Sequence, residues 1–187
     1  PAVGPSTIGP YGAANGGKAI VRKGAGLTSW CIALFGSHTD LRVMDLEFDG
    51  LNTNGLLLTG TPSQMIDVLI FRNKAYGVAA GPSFSGASNN GVFIVDNDLQ
   101  NYVLNGATGS QVMFLSGNKI AVMGNYLDGL QKAQQPIRLA GCNLAVVNSN
   151  RINDTPDGSQ NNAGAKGGLE VRAEGSPPVS SNQVVVT

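Results

Sequence analysis

The sequence predicts an all-β chain wound as a right-handed parallel β-helix, a β-solenoid of about six coils with an internal asparagine ladder. Three observations carry that expectation. An asparagine closes the same short phrase in four successive stretches, at Asn73, Asn97, Asn125 and Asn150. An apolar residue follows two positions later each time, at Ala75, Leu99, Leu127 and Ile152. Counted from Leu46, which fills the Asn position of an earlier copy, the steps are 27, 24, 28 and 25 residues. A drifting period of this size marks a solenoid whose loops vary while its strands hold register.

Each phrase, such as Val92-Phe93-Ile94-Val95-Asp96-Asn97, alternates with period two, the periodicity of a strand. A second short strand precedes each phrase and usually ends in Gly: 32–36, 56–60, 78–81, 112–115 before Gly117, and 137–141. Tight links such as Gly117-Asn118-Lys119 and Gly141-Cys142-Asn143 join the two, with Gly supplying backbone angles that strain other residues. Coils built this way stack by parallel pairing at roughly 4.8 Å. At a bend, stacked Asn amides then serve both the backbone and one another. An extra residue between Leu144 and Asn150 reads as a bulge. The only stretch suited to a helical turn is Leu127 to Gln135. Residues 1–30 read as an irregular Gly/Pro-rich lead-in with a first strand, and 31–187 as the β-helix domain.

The Asn-bearing phrase resembles the parallel β-helix repeat of the pectate-lyase-like superfamily, over roughly residues 30 to 187. The resemblance implies a secreted carbohydrate-active protein, a polysaccharide lyase or glycoside hydrolase or a fragment of one. The same fold carries proteins without catalysis, so a structural or interaction solenoid that binds glycan or self-associates end to end stands beside it.

Composition narrows the field. Charged residues make up 13% of 187, Gly accounts for 26 residues, and the formal net charge is zero. Nothing in that balance points to nucleic acid, and no stretch approaches the roughly 20 apolar residues of a membrane span. The chain opens at Pro1, and 182–187 reads as the first strand of a further coil. Both features suggest missing flanking coils or a partner that caps an open edge. Cys31 and Cys142 fall four coils apart, about 19 Å along the axis, too far to pair.

In proteins of the resembled family the substrate groove lies over one strand column flanked by long loops. Here the long connections near 100–111, 128–136 and 153–168 lead into the Gly-terminated strands. By alternation the outward residues of that column are Ala33, Leu57, Ala79, Met113, Arg138 and Glu170, with Arg172 two positions on. Arg138 and Arg172 suit the neutralisation of a uronate and Glu170 suits proton transfer, which makes these three the catalytic candidates. A surface salt-bridge cluster explains the same residues without chemistry. The substrate-binding candidates are Asp45, Arg72 and Asp96 in consecutive coils; the row two positions on reads Glu47, Lys74, Asp98, Tyr126 and Arg151, with Tyr126 as a stacking platform. Calcium between Asp45 and Asp96 is unsupported, because Arg72 stands between the carboxylates. One His and two distant Cys make no zinc or copper site, and His38 reads as part of a turn. Asp154, Asp157 and Lys166 occupy the longest loop, either a groove lip or an insertion.

Overall fold

The computed structural model describes residues 4–10, 18–22, 31–34, 36–51, 58–60, 64–78, 81–100, 111–127, 135–152, 169–173 and 181–187. All regular elements among them are strands, and every strand pairing is parallel. The strands form three ladders that run along the axis of a β-solenoid. The first stacks Ile32–Leu34, Leu58–Gly60 and Ser83–Phe84, continues through the early halves of Gln111–Met123 and Gln135–Asn148, and ends at Leu169–Arg172. The second stacks Ser6–Ile8, Leu41–Met44, Met65–Phe71 and Asn90–Val95, then the later halves of the two long strands, then Asn182–Val186. The third stacks Ala19–Arg22, Leu46–Asp49, Lys74–Tyr76, Asp98–Gln100, Tyr126–Leu127 and Arg151–Ile152.

Against the expectation of about six coils, three circuits have a paired neighbour on both sides in all three ladders. They are those of Met65–Phe71, Asn90–Val95 and the later half of Gln111–Met123. The circuits nearer the ends each lack at least one described neighbour.

Alternation sets what lies inside. Val43, Ile70, Ile94, Val122 and Val147 form one inner row, and Phe48, Ala75, Leu99 and Leu127 another, all buried. Such in-register apolar rows are the core of a solenoid, since each coil can bury its inner face only against its neighbours. The bends are equally regular. Asp40, Asp67, Lys119, Leu144 and Gln183, with Gly91 among them, enter the second ladder in the left-handed region; Asp45, Arg72, Asp96 and Ser149, with Gly124, leave it the same way. The non-glycine members have φ between +49° and +57°. Asp recurs at these bends because its short polar side chain tolerates that conformation.

The asparagine ladder is present, and it is directional. Asn73 Nδ2 donates to Asn97 Oδ1 at 3.1 Å, Asn97 Nδ2 to Asn125 Oδ1 at 2.9 Å, and Asn125 Nδ2 to Asn150 Oδ1 at 2.9 Å. Each acceptor oxygen also receives the backbone N–H of the Asn one coil earlier, at 3.0 Å. Leu46 N–H donates to Asn73 Oδ1 in the same way, so a residue without an amide still occupies a rung. The other amide hydrogens reach back to Val43, Ile70, Ile94 and Val122 carbonyls. A second row sits at the opposite bend: Asn118 Nδ2 donates to Asn90 Oδ1 and Asn143 Nδ2 to Asn118 Oδ1, and Asn182 takes the next register position.

Several local expectations are corrected. The third strand of the first ladder is Ser83–Phe84, not 78–81; Val78 is buried at the end of the third ladder's circuit, and the chain turns at a cis Gly81–Pro82 peptide before pairing. The extra residue of the last Asn coil lies between Leu139 and Cys142, where the pairing shifts from Leu115↔Leu139 to Gly117↔Cys142. From Asn143 to Asn150 the spacing matches the preceding coil, so no bulge is needed there. His38 is in a short strand with Thr39 paired to Met65 and Ile66, and the bend falls on Asp40. Leu127 and Gln135 are strand residues, and the span between them lies outside the described residues. Cys31 and Cys142 form no disulfide with each other, as their separation requires.

Candidate functional site

The outward row of the first ladder keeps Arg138 and Glu170 of the expected one and departs from it at Met113. Met113 faces the core and is fully buried; Phe114 takes the outward position, in register with Arg138 and then Glu170. Ser83 lies before it in the row and donates to the Phe114 carbonyl. Leu57 and Ala79 lie outside the described residues. Arg138 Nε stands 3.3 Å from Glu170 Oε2, and its guanidinium lies 4.7 Å from the Phe114 ring centroid. The Arg138 side chain is 11% exposed and that of Glu170 30%, so an ion pair stacked on an aromatic ring occupies the surface expected to be a groove floor. Arg172 is exposed in the adjacent row, in register with Ala140.

Of the three catalytic candidates, the structure therefore brings together Arg138 and Glu170. A general base must reach a substrate proton in its basic form. Here the Glu170 carboxylate is held beside the Arg138 guanidinium.

The substrate-binding candidates divide between two places. Asp45, Arg72 and Asp96 are successive left-handed bend residues between the second and third ladders. Arg72 Nη2 bonds Asp45 Oδ2 at 2.7 Å and lies over the Phe71 ring at 4.5 Å. Asp96 leans the other way, its Oδ1 lying where a Cβ on Gly124 of the next coil would sit. The Asp45 carboxylate is thus taken by Arg72, while that of Asp96 lies against Gly124. Among the described residues, no cluster of three or more His, Cys, Asp or Glu is placed to hold a metal ion.

Tyr126 belongs to the outer face of the third ladder, the best-developed polar surface of the described chain. Glu47, Lys74, Asp98, Tyr126 and Arg151 are in register across five coils. Arg22, Asp49, Tyr76 and Gln100 form the row beside it. Arg151 lies 5.3 Å from the Tyr126 ring and Lys74 5.9 Å from that of Tyr76. Gln100 Nε2 donates to Asp98 Oδ1 at 2.7 Å, and Arg22 Nε to Asp49 Oδ2 at 2.8 Å. The Glu47 carboxylate bonded to the Tyr76 phenol, with burial and the nearby Asp49 adding to it, holds that phenol above its ordinary value. Tyr76, Asp49 and Gln100 were missed as site residues. Their signal was present as the period-two companion of the row already read, two residues after Lys74, Glu47 and Asp98.

Compared with known proteins, the chain matches no family model, no curated protein and no solved structure. The site rests on geometry alone.

Among the described residues, no helix is long and apolar enough to cross a membrane.

Proposed function

We propose that this chain is a glycan-binding β-solenoid of the pectate-lyase-like kind, acting outside the cell, whose outer third-ladder face holds a polysaccharide without cleaving it. The observation that carries the reading is the pair of in-register rows centred on Tyr76 and Tyr126. Two phenol rings stand two coils apart, about 9.6 Å along the axis, among amide, carboxylate and guanidinium groups. Sugars present apolar C–H faces and a rim of hydroxyls, so rings beside fixed donors and acceptors match both. The two rows together hold Glu47, Asp49 and Asp98 against Arg22, Lys74 and Arg151. That balance suits a neutral polysaccharide better than a polyuronate.

The test is calorimetric titration with neutral and uronate-containing oligosaccharides. Binding of a neutral glycan that Tyr126→Ala and Tyr76→Ala each weaken by about tenfold supports the reading. Absence of binding to either class would sink it.

The second reading, favoured by Arg138 beside Glu170, is a polysaccharide lyase or glycoside hydrolase. New reducing ends with a rise in ultraviolet absorbance would mark a lyase, and reducing ends alone a hydrolase. Either activity must fall on Glu170→Gln for that row to be its source.

A further inference from the structure

We propose that the outer face of the second ladder packs against the same face of a second copy of this chain. The two solenoids would lie side by side and parallel, about a two-fold axis along their length. This contact is separate from the glycan-binding face and from any end-to-end association.

The face is apolar where a solvent-facing sheet of a monomer is usually polar. Its first row runs Leu69, Phe93, Ala121, Val146 and Val185 after Arg42, and its second Met44, Phe71, Val95 and Met123 before Asn148, each in register from coil to coil. Val146 is 36% exposed, Met123 37% and Val185 52%. The residues are flat-lying members of a regular sheet rather than the walls of a groove, which suits another flat sheet at about 10 Å.

The charges on the two margins decide between orientations. One margin carries Asp40, Asp67 and Lys119, and the other Asp45, Arg72 and Asp96, all at left-handed bends. A two-fold axis along the solenoid keeps each coil level and sets one margin against the other. Arg72 then meets the level of Asp67 in the second copy, and Asp96 comes one coil from Lys119. Both contacts occur twice by symmetry. The one like-charge meeting, Asp45 with Asp40, is offset within each chain, because Arg72 bonds Asp45 at 2.7 Å and Arg42 bonds Asp40 at 3.1 Å. An antiparallel arrangement centred on the Asn90–Val95 coil would instead oppose Asp96 to itself. Complementary charge at a rim selects register in this way.

Six strands at about 4.8 Å and six residues per strand at about 3.3 Å give each copy a face of roughly 570 Å², margins included. The pair would bury about 1,100 Å², near the lower edge of a specific interface, where weak and transient contacts fall.

Sedimentation equilibrium on the chain over a concentration series tests this. The mass should rise from 19.2 kDa toward two copies and stop there. Val146→Lys, at an exposed position that folding does not require, should weaken the dimer by about a hundredfold while the circular dichroism stays unchanged. Lys119→Asp should weaken it by about tenfold, and adding Asp96→Lys should restore it. A mass that stays at one copy, or climbs past two, overturns the proposal. A dimer indifferent to both Val146→Lys and Met123→Lys places the contact elsewhere. Failure of Asp96→Lys to rescue Lys119→Asp overturns the parallel orientation.

Discussion

Replacing Asn97 by alanine should destabilise the solenoid by about 3–5 kcal/mol, far more than a surface Asn costs. Its Oδ1 accepts Asn73 N–H at 3.0 Å and Asn73 Nδ2 at 3.1 Å; its Nδ2 donates to Ile70 O, Val95 O and Asn125 Oδ1. Some of these partners have a second bond. Asn73 Nδ2 keeps Val43 O, Val95 O keeps Arg72 N–H, and Asn125 Oδ1 keeps Asn97 N–H. Asn73 N–H does not, and Asn73 is 1% exposed. A buried N–H left without a partner costs about 1–3 kcal/mol, and each further lost bond about 0.5–1.5. Asn118→Ala, in the second asparagine row, is the control. Asn118 and Asn90 are half-buried and Asn143 is exposed, so water can reach the amide groups left behind and the cost should be about 0.5–1.5 kcal/mol. Urea unfolding followed by far-ultraviolet circular dichroism reads both, as midpoint shifts at constant m. Equal losses for Asn97→Ala and Asn118→Ala would refute the idea that burial of the rung sets its value.

Three further outcomes are expected. Gly117→Ala should cost about 2–4 kcal/mol in the same assay, because Gly117 has φ +115° and its Cβ would sit 2.5 Å from the Asn89 carbonyl oxygen. Burial pushes the Cys142 thiol from 9.0 up to about 11, so it should stay silent toward a disulfide reagent at neutral pH until the chain unfolds. The raised Tyr76 phenol contributes stability that is complete below its unfolded value near 10 and is lost as pH rises through the folded one, so Tyr76→Phe should flatten the alkaline fall in stability.

The asparagines were legible because each one supplies the acceptor that the preceding coil's buried backbone N–H requires, and one residue type recurring at one phase survives changes in loop length. The row from Glu47 to Arg151 followed from that register. Phase was lost where it carries no contrast: in Val112-Met113-Phe114-Leu115 every residue is apolar, so alternation cannot say which side faces in. Only the pairing of Phe114 with Arg138 resolves it. The glycine signature misled at 78–81 because glycine closes more than one kind of bend in this coil. The second Asn row, at 90, 118, 143 and 182, was hidden by an insertion that stretches its last step to 39 residues. The shape of the Arg138–Glu170 surface depends on pairing between segments 32 residues apart, which spacing alone does not convey.

The polarity of the asparagine ladder gives the chain a direction of assembly. A rung's backbone N–H is met only by the amide oxygen of the coil that follows it in sequence. As the chain leaves the ribosome, each bend therefore stays incomplete until one more circuit has emerged, and ordering trails synthesis by about two dozen residues. Truncation should be unequal for the same reason. Trimming circuits from the carboxyl side strands a backbone donor in the newly terminal bend, whereas trimming from the amino side leaves its counterpart with a spare acceptor that solvent can fill. The solenoid resembles a zipper whose teeth close from one end only.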